Sequence, residues 1–398
     1  MKRQAGFSLL EMLVSISITV TIVGLAVGAL LQAESASQIV GYQANTQENL
    51  RAAMHFIVRD LTQAGEGIPQ GGLTVPNTGT TSVINRPGTA TTFQYNAAGV
   101  LAIPPIMPGS SIGQQTTSVN PQTFAVLTGA NSDIVNIIYA DNVLVDSNLP
   151  TARSLYQYPV VQATGPTCAG VISPTGAFVT IDANCFTMPG YLQPITVGNL
   201  IMFHNQNGTA LEYVTSVAGQ TINFAAGDPA GLNQTGKPFG TVYNLQNFVA
   251  GNPTGFPATS ITRIWMVTYY LDNATNPSKP QLIRQVNWPN YPAGNGAANP
   301  PQQVADIIEY LTFSYDITAS VDAAGTYPLG AGNVPTPISP DTPTQIRAVN
   351  VTLGGRSEYP YQSNGARAFL RNNLTTQVCP RSLSFTNLFQ TSQSQTSY

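Results

Sequence analysis

The sequence predicts an α+β protein in which one long N-terminal helix packs on an antiparallel β-sheet head with long loop-rich insertions. No proline occurs between Met1 and Gly65, and this stretch is compatible with a helix throughout. Beyond it, segments rich in β-branched and aromatic residues alternate with turn-forming residues, as in antiparallel sheets. Charged residues make up only 8% of the 398 residues, whereas typical soluble domains contain about 25%. This composition suits an extracytoplasmic, loop-rich β protein.

The first element of this fold is an apolar run over residues 7–31, in which Glu11 is the only charge. A run of about 20 apolar residues is long enough to cross a bilayer as a helix. A carboxylate inside such a helix has a high free-energy cost in the membrane, and it therefore indicates a functional role. Lys2 and Arg3 precede the run, and the positive-inside rule places such an N-terminus in the cytoplasm and the bulk of the chain outside it.

The stretch from Gly6 to Ser15, Gly-Phe-Ser-Leu-Leu-Glu-Met-Leu-Val-Ser, resembles the signal of the type IV pilin-like superfamily. That family has a short basic leader, glycine before the cut, phenylalanine after it and glutamate at the fifth mature position. The resemblance implies that residues 1–6 form a leader peptide, which a membrane-embedded prepilin peptidase removes after Gly6. It also implies methylation of the new amine of Phe7. An ordinary secretory signal peptide starts similarly, but the small residues at 33–36 only faintly resemble its cleavage site.

The same resemblance gives Glu11 a role in assembly, as the carboxylate that pairs with the N-terminal amine of a neighbouring subunit. The physics agrees, because a positive amine at the same depth offsets the cost of a carboxylate in hydrocarbon. The alternative is a polar residue that is tolerated near the membrane interface.

The helix is predicted to run over residues 7–64, with residues 7–31 in the membrane or the filament core. Its second half carries an apolar stripe of helical period that should lie on a sheet, formed by Leu50, Met54, Ile57, Leu61 and Ala64. The pattern Met-x-x-Ile-x-Arg-Asp-Leu-x-x-Ala-Gly over residues 54–65 resembles minor pilins of the PilW family, and J-type pseudopilins of type II secretion carry a similar one. Arg59 and Asp60 are expected to be polar anchors between helix and head.

Residues 65–125 are predicted to be a loop-rich insertion, and residues 126–398 a β-rich globular head. The insertion has one charge between Pro69 and Phe124, and we expect it to be exposed, with short strands near 91–95 and 100–103. A short helical turn is expected at the start of residues 304–316. Strands are predicted at residues 133–139, 200–203, 211–215, 221–224, 261–271, 282–286, 311–315 and 346–353.

Three head segments, in their order, also resemble the PilW family: Tyr269–Gln285, Val304–Tyr315 and Ile346–Arg356. The length of the chain favours this family over J-type pseudopilins, which are usually shorter. The resemblance implies a minor prepilin that helps to prime the type IV pilus and sits at or near its tip. Its expected partners are other minor and major pilins, the prepilin peptidase and the assembly platform of the inner membrane. The expected location is the inner membrane in a single pass, followed by the pilus surface. A type II secretion pseudopilin and a tip adhesin or DNA-uptake factor remain the alternatives.

The cysteines offer one candidate cross-link. In an oxidising compartment Cys168 and Cys185 can close a short loop, worth about 3 kcal/mol by the loop-entropy model. Cys379 is then expected to be free and buried. The alternative is that all three cysteines are small hydrophobes in strands.

No catalytic motif is evident, and we expect neither enzyme activity, a cofactor nor a metal site. His55 and His204 are far apart in sequence, and His204 is expected at the exposed end of a hairpin. Asp141 and Asp146 leave a calcium site as a less favoured option. Trp265 is expected in the core, whereas Trp288 is expected to be exposed and is the better adhesion candidate. The net charge of −3 gives no support for nucleic-acid binding by this chain alone.

Overall fold

The protein was analysed as a computed structural model that describes residues 8–69, 72–76, 84–86, 94–95, 102–141, 158–161, 170–181, 195–234, 240–288, 300–317, 334–335, 343–363 and 366–384. Its α-helices are α1 Leu9–Thr62 and α2 Arg381–Ser384, and two 3-10 turns lie at Val242–Leu245 and Pro343–Gln345. Every pairing between its strands is antiparallel.

The strands before residue 142 are β1 Leu73–Thr74, β2 Ile84–Asn85, β3 Gln94–Tyr95, β4 Ala102–Ile103, β5 Ile106–Met107, β6 Gln115–Val119, β7 Val126–Asn131 and β8 Val135–Ala140. Those between 158 and 223 are β9 Tyr158–Val161, β10 Gly170–Ile172, β11 Phe178–Ile181, β12 Leu200–Asn205, β13 Gly208–Tyr213, β14 Ser216–Ala218 and β15 Thr221–Asn223. The rest are β16 Asn247–Val249, β17 Asn252–Gly255, β18 Thr259–Asp272, β19 Gln281–Val286, β20 Gln302–Asp306, β21 Ile308–Ile317, β22 Ile346–Arg356, β23 Tyr361–Ser363, β24 Ala366–Ala368 and β25 Arg371–Val378.

Helix α1 has 54 residues, a length of about 80 Å at 1.5 Å per residue. Just beyond its end, Gly65 adopts a positive φ of 79°, a conformation that glycine reaches without steric cost. The amide of Gly65 then donates to the carbonyl of Ile138 at 2.9 Å, which ties the chain to β8. The predicted helix is confirmed, and all five residues of its predicted stripe are buried.

The central sheet has eight strands and is built around β18, the longest strand described. The first part of β18 pairs with β12 and β9, and its later part pairs with β8 and β19. Strands β13, β20 and β5 extend the sheet through β12, β19 and β8 respectively. This arrangement confirms the predicted hairpin over residues 200–215 and the predicted pairing of residues 261–271 with 282–286.

Both faces of the central sheet are covered by other elements. Side chains of a strand point alternately to its two faces, so each face can be followed along β18. On one face Val267, Tyr269 and Leu271 of β18 belong to the same core as the α1 stripe. On the other face Ile264 and Met266 pack in a second core, which also includes residues of β1, β4 and β5. The central sheet is therefore a buried platform on which the helix lies.

Two further sheets of more than two strands lie in the described part of the head, alongside five two-stranded ones. The three-stranded sheet β21–β22–β25 contributes to the helix core, and a Cβ atom placed on Gly355 of β22 would lie 3.3 Å from the Leu50 side chain of α1. The four-stranded sheet β10–β11–β15–β14, here called the accessory sheet, forms a third core with Ile201 and Phe203 of β12. This core is formed separately from the one beneath α1.

Two expectations about the head are wrong. The segment before residue 125 is not uniformly exposed, because Leu73, Ile103 and Ile106 are fully buried and β5 pairs with the central sheet. The helical turn expected near residue 304 is replaced by β20 and β21, which are separated at Ile307 by a positive φ of 56°. A single left-handed residue thus divides two strands where the sequence resembles a helical turn.

Candidate functional site

The start of α1 is held by a reciprocal cap between Ser8 and Glu11. Ser8 has extended backbone angles, its Oγ accepts from the amide of Glu11 at 3.3 Å, and its own amide donates to Glu11 Oε2 at 3.0 Å. This is a capping box, which satisfies two amide groups that a helix start leaves without partners. The cap fixes the Glu11 carboxylate at the N-terminal end of the helix. Gly6 and Phe7, the predicted cleavage and methylation positions, lie outside the described residues.

The first half of α1 has no covering in the monomer. Every residue from 8 to 38 is exposed, and large apolar side chains such as Leu10 and Leu25 are more than 70% exposed. By length and composition α1 is able to cross a membrane. An apolar surface of this extent marks contact with a membrane or with other proteins.

The hydroxyl groups within this apolar half are satisfied by the helix itself. Ser15 and Ser17 donate to carbonyls three residues earlier at 2.9 Å, and Thr19 and Thr21 donate to carbonyls four residues earlier at 2.7 and 2.8 Å. A polar group in hydrocarbon costs several kcal/mol unless it is hydrogen-bonded. These side chains therefore add little cost in an apolar environment, which leaves Glu11 as the one costly group of the run.

The second half of α1 is joined to the head through Asp60, which is fully buried. Its Oδ2 accepts from the Tyr269 hydroxyl and from Arg284 Nε, both at 2.6 Å, and its Oδ1 accepts from Arg59 at 3.1–3.2 Å. Tyr269 lies in β18 and Arg284 in β19, so one carboxylate links the helix to two central strands. The expected anchoring role of Asp60 is confirmed. Arg59, which is 46% exposed, braces Asp60 from the helix side.

The environment of Asp60 determines the protonation of the ionisable groups around it. Burial, followed by the charge and hydrogen bond of Asp60, raises the pKa of Tyr269 above its ordinary range. Burial and Asp60 also raise the pKa of Tyr139 to about 12. Burial acts to lower the pKa of Arg284, but the hydrogen bond and charge of Asp60 outweigh it and raise that pKa overall. Both tyrosines are therefore neutral and Arg284 is charged at neutral pH.

Residues that the sequence singled out in the head are scattered rather than gathered. His204 is exposed near the end of β12, as expected. Asp141 pairs with Arg263, whose guanidinium also lies 4.8 Å from the Trp265 ring. Asp146, Cys168 and Cys185 lie outside the described residues. Among the residues that the structure describes, no three acidic, histidine or cysteine side chains form a group suited to a metal ion.

Two predictions for single side chains are wrong. Trp288 is only 5% exposed and packs edge-on against Tyr213, with ring centroids 6.0 Å apart, so it is unsuited to surface adhesion. Cys379, expected to be buried, is an exposed free thiol. Trp265 packs partly buried against the helix core, in line with its predicted core position.

Comparison with protein families matches residues 1–31 to the prokaryotic N-terminal methylation motif. No curated protein and no solved structure matches the chain significantly. The match, together with the apolar helix, supports a prepilin: a protein of the type IV pilin-like or pseudopilin class.

The motif implies processing by a prepilin peptidase and assembly with other pilins. With the apolar helix it fits a membrane-anchored pilin that reaches a surface pilus.

Proposed function

We propose that the chain is a minor, PilW-like prepilin that helps to prime the type IV pilus and sits at or near its tip. The observation that carries the proposal is the division of α1. Residues 8–38 are all exposed and include an apolar run to residue 31 with Glu11 as its only charge, whereas Asp60 and the buried stripe fix the second half to a large head. A subunit of this shape can leave the bilayer only if other apolar helices cover its first half.

The assembly role rests on the position of Glu11. A carboxylate near the start of an apolar helix is costly in hydrocarbon, and a positively charged amine on a neighbouring helix removes much of that cost. The amine proposed is the N-terminus that cleavage before Phe7 would create. The basic residues Lys2 and Arg3 support a cytoplasmic N-terminus and a periplasmic head before assembly.

The choice of a minor pilin is supported by the ordered head segments and by the length of the chain. In this proposal the chain performs no catalysis, and an assembly ATPase and the prepilin peptidase supply the energy and the cleavage. Its further partners are other minor and major pilins and the inner-membrane assembly platform.

A deletion strain tests the proposal. We expect loss of surface pili with normal secretion of folded proteins, and recovery of pili when the full chain is restored. Normal piliation with lost secretion would contradict the proposal and favour a type II secretion pseudopilin. Normal piliation with lost surface attachment or DNA uptake would instead favour a tip adhesin or uptake factor.

A further inference from the structure

The head contains a cavity of about 390 Å³ between β13 and the accessory sheet. The described residues that line it are Glu212 of β13, the turn at Thr175–Ala177, the segment Phe224–Ala226 after β15, Gln234 and Thr241–Tyr243. A cavity of this volume lies within the size range of small-molecule sites. No part of the proposed assembly function uses it.

Glu212 is the only charged residue among the described residues that line the cavity. Glu212 is only 4% exposed, yet the one hydrogen bond that its carboxyl group accepts from the described residues is a long one of 3.3 Å, from the amide of Val242 to Oε1. Burial raises the pKa of Glu212 well above its ordinary value, and the nearby charge of Asp228 adds to the rise. Within the described part of the head, the second oxygen of this carboxyl accepts no hydrogen bond.

Asp228 does not compete for the same role, because its carboxylate is already satisfied. It accepts amide hydrogen bonds from Ala230, Leu232 and Asn233 at 2.8–3.1 Å. It still contributes negative charge near Glu212. The cavity thus has one carboxyl oxygen that accepts no hydrogen bond from the described residues, with a second acidic group nearby, and both favour a cation.

The remaining walls are mostly apolar and well held. Phe224 is packed edge-on against Phe203, with ring centroids 5.5 Å apart, and Val242 is fully buried. Gln246 Nε2 donates to the Pro174 carbonyl at 3.0 Å, which fastens the 242–245 turn to the turn between β10 and β11. Asn233 bonds both Tyr213 and Ala225, which fixes the other rim. The described walls of the cavity are therefore held in place, and they combine apolar side chains with one acidic group.

We propose that this cavity binds an alkylammonium group, a short aliphatic stem ending in a primary amine. The stem would lie along Phe224 and Val242, and the ammonium would donate to Glu212 and balance its charge. The group can come from a free amine or from a lysine side chain of another protein. A buried carboxylate that lacks a cation costs stability, and such costs are typical of binding sites.

The test measures binding of n-butylammonium to the full chain in detergent by titration calorimetry, with n-butanol as the neutral analogue. We expect saturable binding of the amine, weakened about 10- to 100-fold by Glu212→Gln, which keeps the side-chain shape. Glu358→Gln removes an exposed carboxylate elsewhere in the head and should leave the affinity unchanged. Absence of saturable amine binding, equal affinity for n-butanol, or equal affinity in Glu212→Gln would each overturn the proposal.

A second variant covers the case in which Glu212→Gln does not fold. Ala226→Leu enlarges an exposed rim residue and keeps Glu212, so it should weaken amine binding by narrowing the entrance. Unchanged binding in Ala226→Leu would place the amine outside the cavity and overturn the proposal. A short acetylated peptide with one lysine separates the two sources. Binding of this peptide supports a protein side chain, and binding of the free amine alone supports a small molecule.

Discussion

At the scale of single residues, the junction of helix and head depends on Asp60. The sequence predicted its anchoring role from its place beside the apolar stripe. It did not predict Tyr269 or Arg284 as partners, because both are more than 200 residues away and only the pairing of β18 with β19 brings them to one point. The local sequence pattern therefore identifies Asp60 as an anchor, and the strand topology determines which residues bind its carboxylate.

We predict that Asp60→Asn destabilises the helix–head junction by about 3–5 kcal/mol, because it leaves the largely buried Arg284 without its counter-charge. Urea unfolding of the full chain in detergent, followed by tryptophan fluorescence, measures the loss. Glu358→Gln, which breaks an exposed pair with Lys279, is the matched control and should change stability little. An equal effect of the two variants would show that Asp60 does not anchor the helix.

Glu212 gives a prediction about pH. Because the pKa of Glu212 is raised in the folded head, its contribution to stability is fully present below its unfolded pKa and is lost as pH rises through its folded pKa. In the absence of a ligand, Glu212→Gln should therefore gain stability relative to the wild type as the pH rises above about 4, the unfolded pKa of a glutamate, toward the raised folded pKa of Glu212. Urea unfolding at several pH values tests this. A stability difference that is independent of pH would contradict the burial of an ionisable Glu212.

The two wrong predictions for single residues have local physical causes. Trp288 follows Asn287, which suggested an exposed turn. Asn287 instead is buried, accepts from the Met266 amide at 3.0 Å and donates to the Gly198 carbonyl at 3.1 Å, so it turns Trp288 into the core. Cys379 directly follows Val378, the one buried residue of β25, and the alternation of the strand turns it outward.

At the scale of elements, α1 is one continuous helix whose two halves differ in burial: the first half is exposed, and the second half packs on the head. Its stripe of helical period predicted which residues of the second half are buried, and each of them is buried. The capping box was not predicted, although its signature, serine followed three residues later by glutamate, is visible in the sequence. From the sequence, only the charge of Glu11 was considered, and not its hydrogen bond to the helix start.

We predict that the two halves of α1 respond differently to the same kind of truncation. Ile57→Ala removes a fully buried side chain and should destabilise the head by about 2–5 kcal/mol. Leu30→Ala removes a side chain that is 69% exposed and should leave the stability of the head unchanged. Urea unfolding followed by tryptophan fluorescence, to which Trp265 beside the helix core contributes, compares the two variants. A comparable loss in Leu30→Ala would mean that the first half also packs on the head.

At the scale of the whole molecule, the sequence predicted the α+β architecture and five of the eight strands of the central sheet, but not β5, β9 or β20. Strands such as β18 and β22 have strong β-branched and aromatic patterns, which local reasoning detects. Of the accessory sheet it predicted only β15, because β10, β11 and β14 have just three or four residues each and no strong pattern. Their association depends on distant pairing rather than local pattern, and the Glu212 cavity that they enclose was missed with them.

The described part of the molecule combines a largely exposed apolar helix half with a head that is fixed to the other half of the helix. The central claim is that the charge of Glu11 drives assembly. The capping box provides a way to separate that charge from the structural role of the side chain. Glu11→Gln removes the charge but keeps a residue that suits the third position of a capping box, whereas Ser8→Ala removes the cap and keeps the charge.

The most direct measurement is the amount of each variant in sheared filaments, compared with the amount of cleaved protein in the membrane. We expect Glu11→Gln and Glu11→Val to be cleaved normally and to be absent from filaments, because neither can pair with the N-terminal amine of a neighbour. Ser8→Ala should be cleaved and incorporated. Normal incorporation of Glu11→Gln, together with loss of Ser8→Ala, would contradict the account and assign Glu11 to helix capping alone.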